Sequence, residues 1–194
     1  MKAGSKSLNK ICIDVVSDTA DVEVRWRPFF LNPSAPEEGI EKRRYYEEKF
    51  GRSRLAAIEP RLREAFRSVG LPFSLGGLTG STMDSHRLIA WAEDVSLDAQ
   101  NKLVDELFRN YFGEEKFIND PEVLVAAATK AGLDETAAKN LVADKTKYRD
   151  RVVALYDRYA TGVQGVPHFI IGDEAISGAQ PPEVFVEILK KYQG

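Results

Sequence analysis

Two candidate strands near the start of the sequence are separated by only five residues, and this spacing limits how they can pair. Residues 11–16 form an apolar, β-branched run typical of a buried strand, and residues 22–26 alternate apolar and charged side chains, which predicts a half-buried strand. Parallel neighbours need a crossover of about a dozen residues, whereas five residues span at most about 17 Å. The two strands therefore pair antiparallel, or one of them stays unpaired.

Helical patterns dominate the sequence from about residue 40 to residue 160. Apolar side chains recur at spacings of three and four over 55–69, and Asp120-Pro121-Glu122 has the composition of a helix start. Ser81-Thr82-Met83-Asp84 fits a capping box that opens a helix containing His86. The C-terminal quarter predicts a strand over 166–171, a tight turn, a short return strand and a last helix. This order indicates a small α/β domain with a helical insertion.

Charge and composition exclude several classes of function. A formal net charge of -3 provides no basic surface for nucleic acid, and no run approaches the roughly 18 apolar residues of a membrane span. The first residues lack the apolar core of a secretory signal, so we expect a cytoplasmic protein. One cysteine, Cys12, and two histidines leave neither an intrachain disulfide nor a metal cluster.

Four segments of the sequence carry a resemblance to a known family. They read EVRWRPFFLNPSAPEEG (23–39), GLTGSTMDSHRLIAWA (77–92), ELFRNYFGEEKFINDPEVLVAAATKAGLD (106–134) and GVQGVPHFIIGDEAISGAQPPEVF (162–185). Together they resemble the DsbA-like thioredoxin-fold family, and most closely its FrnE branch, which is related to 2-hydroxychromene-2-carboxylate isomerases. The resemblance implies an α/β thioredoxin-like fold of the DsbA type, with a sheet domain over 10–39 and 162–194 and a helical insertion over 40–161. It also implies a thiol–disulfide oxidoreductase.

The sequence departs from the family pattern at the redox centre. Family members end the first strand in a phrase like SD-x-x-CPWC and continue through the active-site helix, whereas this sequence passes from VVSDT directly to ADVEVRWRPFF. The first βαβ crossover is thus truncated, and no CxxC motif or catalytic cysteine pair remains. Cys12 lies within an apolar run, without the positive neighbour that stabilises a thiolate, and fits a buried structural cysteine. Either the transcript or gene model is truncated, or the chain is a divergent paralogue with impaired redox activity.

The resemblance also implies where a substrate binds. The Val166-Pro167 peptide bond is expected to be cis, so that the backbone of Val166 pairs with an extended thiol- or disulfide-containing protein or small molecule. His86 and His168 are candidates to border this groove. A non-redox peptide-binding or glutathione-binding module is one alternative. A glutathione-dependent isomerase, with Ser17 activating the glutathione thiol, is another; no other cofactor is expected.

Overall fold

The computed structural model describes residues 22–192, and most of this part is helical. In chain order its elements are β1 (Ile40–Glu41), α1 (Lys42–Phe50), α2 (Arg52–Ser68), β2 (Leu78–Thr79), α3 (Met83–Val95), α4 (Leu97–Phe108), a π-helical turn (Arg109–Gly113), α5 (Pro121–Lys130), α6 (Glu135–Ala143), α7 (Arg149–Tyr159), β3 (His168–Ile171), β4 (Glu174–Ser177) and α8 (Pro182–Lys190). The strands form two separate antiparallel pairs, β1 with β2 and β3 with β4. The predicted strand over 11–16 and the truncated crossover lie outside the described residues.

Helices α3, α4, α5 and α6 enclose the main apolar core of the described residues. Leu88, Leu103 and Leu124 are fully buried there, which each helix achieves by placing apolar residues on one face. Three of these helices are N-capped by a side-chain oxygen that accepts a backbone N–H group. The capping residues are Ser96 (3.0 Å), Asp120 (2.8 Å) and Asp134 (2.7 Å). The helix start predicted at Asp120-Pro121 is therefore confirmed.

A fully buried arginine ties α3 to the end of α6. The Arg87 guanidinium donates to the carbonyl oxygens of Leu141 (2.5 Å), Asp144 and Lys147 (2.6 Å). It also pairs with the Asp84 carboxylate at 2.6 Å. These bonds satisfy carbonyl groups that the end of a helix would otherwise leave without partners.

The C-terminal strands and helix form a second, smaller packing unit, which we call the hairpin unit (residues 168–190). Strands β3 and β4 pair with Phe169 opposite Ile176, and helix α8 packs on this face with Phe185 and Ile188. Side chains alternate across a strand, so Ile170 points to the opposite face, where it is 55% exposed. Within the described residues, one face of the hairpin is thus covered and the other is open.

The strand predicted over 22–26 is wrong. Residues 22–30, which we call the arm, have no regular secondary structure. The Trp26 backbone N–H donates to the side-chain oxygen of Gln100 at 3.0 Å, and the Asn101 side-chain amide donates to the Val24 carbonyl at 3.3 Å. Side chains of α4 thus make the hydrogen bonds that a neighbouring strand would otherwise make with these backbone groups.

The capping box predicted at Ser81–Asp84 is also wrong. Thr82 is the N-cap residue of α3, and it makes no side-chain capping hydrogen bond. The Asp84 carboxylate is turned inward, is 4% exposed, and pairs with Arg87 and Lys145. The sequence pattern predicted where α3 begins, but it did not predict that the Asp84 carboxylate forms ion pairs instead of capping the helix.

Candidate functional site

The segment that leads into β3 contains an exposed residue whose backbone groups have no partner among the described residues. Val166 is 48% exposed, and the Val166-Pro167 peptide bond is cis. The Pro167 carbonyl accepts the Gly178 N–H at 2.9 Å. Among residues 22–192, no group donates to the Val166 carbonyl or accepts from its N–H. This backbone unit therefore has the hydrogen-bonding groups that an extended ligand needs.

His168 lies next to this segment, on the open face of the hairpin. Its Nδ1 atom is 3.0 Å from the Ser177 hydroxyl oxygen, and the two residues are paired across β3 and β4. The imidazole is thereby positioned within the hairpin, two residues from Val166.

His86 occupies a different environment, in the first turn of α3. Its ring packs edge-on against Phe30, with 5.0 Å between ring centroids, and Phe30 lies 5.2 Å from Tyr156 on α7. The Nδ1 atom is shielded from solvent, and no hydrogen-bond partner for it occurs among the described residues. Burial lowers the pKa of His86 to about 4, so the imidazole is uncharged at neutral pH.

The structure does not join these candidate residues into one described site. Within the described range, no hydrogen bond or ring contact connects His86 with residues 166–168. Ser17 and Cys12 lie outside that range. No group of three metal-ligating side chains occurs among the residues described, and none of their helices is long and apolar enough to cross a membrane.

An ion-pair cluster that sequence reasoning missed fixes the arm to the helices. The Glu93 side chain is 7% exposed and accepts from Arg27 at 2.7 Å and from Arg25 at 3.1 Å, with Arg151 at 3.6 Å. Burial alone would raise the pKa of Glu93, but these guanidinium groups outweigh burial and lower it. The sequence signal for this cluster was the pair of arginines on either side of Trp26. Their carboxylate partner, Glu93, lies far away in the sequence and could not be identified from residue spacing.

A buried lysine at the start of α1 was also missed. The Lys42 side chain is fully buried; its ammonium donates to the Tyr111 carbonyl and lies 3.8 Å from the centroid of the Tyr111 ring. The Tyr111 hydroxyl in turn donates to Thr79 at 2.9 Å. Burial lowers the pKa of Lys42 to about 8, although Glu115 acts to raise it. Lys42 thus connects the start of α1 to the π-helical turn that contains Tyr111.

Comparison with known proteins identifies the family. A family model described as a DSBA-like thioredoxin domain matches residues 3–190. The chain belongs to the DsbA-like thioredoxin family. The crystal structure of the probable DsbA oxidoreductase SCO1869 from Streptomyces coelicolor is similar to this protein, with a TM-score of 0.77 and 32% identity. The match covers 85% of this chain and 73% of the Streptomyces chain.

One curated protein is similar to this chain over part of its sequence. The uncharacterized protein YwbO of Bacillus subtilis (strain 168) is 32% identical over 88 residues, which are 45% of this chain and 44% of YwbO. The chain thus matches less than half the length of this relative. The predicted DsbA-type thioredoxin fold is confirmed by the family match and the structural likeness. The FrnE branch and the domain boundaries at residues 40 and 161 stay predictions.

Proposed function

We propose that this DsbA-like protein binds thiol- or disulfide-containing polypeptides beside Val166-Pro167 and does not run a two-cysteine redox cycle. Membership of the family is consistent with oxidoreductase-type or isomerase-type chemistry. The observation that carries the proposal is the single cysteine, Cys12, in a sequence that otherwise keeps the family segments. We assign the protein to the FrnE branch on those segments. A single cysteine suits a reducing compartment, and we propose the cytoplasm.

Thiol–disulfide exchange explains why one cysteine limits the reaction. A thiolate attacks a substrate disulfide, forms one mixed disulfide and expels one substrate thiolate. In a two-cysteine cycle, a second cysteine of the same chain then attacks the mixed disulfide, which releases the oxidised enzyme and the reduced substrate. Because no second cysteine occurs in the sequence, the chain lacks the residue for that step. Binding, rather than turnover, is the activity that the remaining residues support.

The backbone beside Val166 supports this binding. An extended polypeptide can pair with an exposed backbone N–H and C=O as an added strand, and Val166 offers both groups without partners in the described range. The apolar side chain of Ile170, on the open face of the hairpin, extends the surface next to it. Polypeptide recognition here needs no charge, which agrees with the small net charge of -3.

The redox part of the proposal is tested with the insulin reduction assay in dithiothreitol. We expect the protein to leave the rate at the dithiothreitol background, and the Cys12→Ser variant to behave identically. Acceleration well above background that is lost in Cys12→Ser would contradict the proposed redox impairment, because Cys12 would then act as a redox cysteine.

The binding part is tested separately with fluorescently labelled, reduced insulin B chain and anisotropy. We expect saturable binding that Val166→Asp weakens at least about fivefold, because a charge beside the pairing backbone must be desolvated. Val153→Asp is the matched control, since Val153 is similarly exposed (45%) but lies on α7. Equal binding by both variants, or no binding by the unmodified protein, would exclude a polypeptide site at Val166.

A further inference from the structure

We propose that helix α2 is a docking surface for an acidic amphipathic helix of a partner protein. The surface, which we call the α2 face, consists of Arg54, Ile58, Arg61, Leu62 and Ala65. Residues that are three or four positions apart lie on the same side of a helix, so these five form one continuous strip. The α2 face belongs to a different element from Val166-Pro167, and the inference goes beyond the proposed function.

Helix α2 is largely open in the described part of the chain. Of its 17 residues only Leu55 is buried, whereas the 12-residue helix α4 buries five. On the α2 face, Arg54, Arg61 and Ala65 are exposed, and Leu62 keeps 37% of its surface exposed. A helix in a globular protein normally buries an apolar stripe at least about 100° wide. Within residues 22–192, α2 therefore has room for a further element to pack against it.

The two helices that contain the α2 face form a basic unit in an acidic chain. Over 42–68, nine lysines and arginines stand against four glutamates, a formal net charge of +5, whereas the whole chain carries -3. Surface charge of one sign attracts a partner of the opposite sign and speeds its association. A partner with acidic side chains is therefore attracted to α1 and α2 in particular.

Two arginines of this unit have no partner among the described residues, and both lie on the α2 face. Arg63, on the other side of the helix, pairs with Glu59 at 2.7 Å. For Arg54 and Arg61, no ion pair or hydrogen bond occurs within residues 22–192. Their guanidinium groups keep all their donors available for carboxylates of a partner. The two sides of α2 thus differ, since one is satisfied within the chain and the other is not.

The spacing of Arg54 and Arg61 indicates a helical partner. Seven residues advance about 10.5 Å along a helix and return to nearly the same side. A second helix that lies along α2, with carboxylates seven residues apart, reaches both arginines. A strand repeats its same-face side chains at multiples of about 6.8 Å, which does not match. Ile58 and Leu62 offer apolar contact between the charges, and the small side chain of Ala65 allows close helix packing.

Nucleic acid and anionic lipid fit the α2 face less well. The carboxylates of Glu59 and Glu64 interrupt the basic surface beside it, whereas a nucleic-acid site is normally a continuous basic patch or stripe. Leu55 and Phe66 pack in the apolar cluster of the protein itself. Helix α2 therefore has no large apolar face left to bury in a membrane surface.

The test uses a fluorescently labelled synthetic helical peptide with glutamates seven residues apart and leucines between them. Anisotropy at about 50 mM salt, where screening is weak, should show saturable binding. Arg54→Glu with Arg61→Glu should weaken it at least about tenfold, because like charges then face each other. The matched control, Arg149→Glu with Arg158→Glu, makes the same charge change at exposed positions on α7 and should bind like the unmodified protein. Equal weakening by both double variants, or no binding by the unmodified protein, would overturn the proposal.

A second peptide tests the spacing. It has the same composition with glutamates five residues apart, so only one carboxylate at a time faces α2, and it should bind at least about threefold more weakly. Equal binding of the two peptides would contradict docking of a helix along α2. Displacement of the first peptide by an equal concentration of single-stranded oligonucleotide, or by phosphatidylglycerol vesicles, would assign the surface to nucleic acid or lipid instead. If circular dichroism shows the double variant unfolded, Arg54→Gln with Arg61→Gln replaces it and should also weaken binding.

Discussion

The helical core and the hairpin unit bury apolar side chains to different extents. In the helical core, Leu88, Leu103 and Leu124 are fully buried. In the hairpin unit, the most buried apolar residues, Ile176, Phe185 and Ile188, keep 7–9% of their surface exposed, and Ile170 is 55% exposed on the open face. The helices complete a core with their own apolar faces, whereas among residues 22–192 the hairpin has one covering helix for its two faces. A sheet in a stable domain is normally covered where it is apolar, so the hairpin unit should be the weaker part.

The largest expected effect compares one core residue from each part. We expect Leu103→Ala to lower the free energy of unfolding by about 4 kcal/mol, because a fully buried leucine leaves a cavity in a packed surrounding. Ile188→Ala should cost only about 2 kcal/mol, because Ile188 belongs to a small cluster that is not fully closed to solvent and can relax. Urea unfolding followed by circular dichroism measures both. Equal losses would show that the hairpin unit is as well packed as the helices.

The next effect concerns Lys42, a titratable group within the helical part. Its pKa is lowered to about 8 from 10.5 by burial, so between these values the unfolded chain holds a proton that the folded chain has released. Stability should therefore rise by about 3 kcal/mol as the pH increases from 8 to 10.5. The rise should be absent in Lys42→Met, which keeps the length of the side chain. A rise of the same size in that variant would assign it to other groups.

His86 should produce a smaller effect at acidic pH. Burial lowers its pKa to about 4, so between pH 6.5 and pH 4 the unfolded chain takes up a proton that the folded chain does not. Stability should fall by about 2 kcal/mol as the pH is lowered through this window, less than the change expected for Lys42, because Lys42 is fully buried and His86 is of intermediate burial. His86→Phe preserves an aromatic contact with Phe30 and should flatten this part of the curve. An unchanged slope in His86→Phe would mean that His86 already titrates normally.

The smallest effect tests the open face directly. Ile170→Thr removes apolar surface that is already 55% exposed, so the free energy of unfolding should change by less than about 0.5 kcal/mol. Thr is β-branched and keeps the strand preference of isoleucine. A loss above about 1.5 kcal/mol in urea unfolding would show that this face is covered in the folded protein, and would remove the contrast between the two parts.

Local signals in the sequence predicted many of the elements. The start of α5 at Asp120-Pro121 and the turn before β4 at Gly172 depend on neighbouring residues alone, and both are found where the sequence places them. The prediction of a strand over 22–26 was wrong because alternation of apolar and charged residues indicates which side chains are buried, but not which groups form hydrogen bonds with the backbone. Those groups, Gln100 and Asn101, lie more than seventy residues away.

The candidate site was less accessible to sequence reasoning. The motif around Val166-Pro167 was visible as a local pattern, and Val166 is 48% exposed in the structure. The burial of His86 depends on Phe30 and on a helix seventy residues further along the chain, so its uncharged state could not be derived from DSHRL. The role of Glu93 could not be derived from the sequence, because the arginines that pair with it belong to another segment.

The Arg87 guanidinium has a consequence for the order in which the helical part opens. Its bonds to the carbonyls of Leu141, Asp144 and Lys147 connect the first turns of α3 with the end of α6. Withdrawal of either element would leave a buried cation and several carbonyls without partners, at a cost of several kcal/mol. The amide protons of these two helices should therefore exchange with solvent at the same free energy, because the two helices unfold together as one cooperative unit. The hairpin unit, which this arginine does not reach, is free to open first.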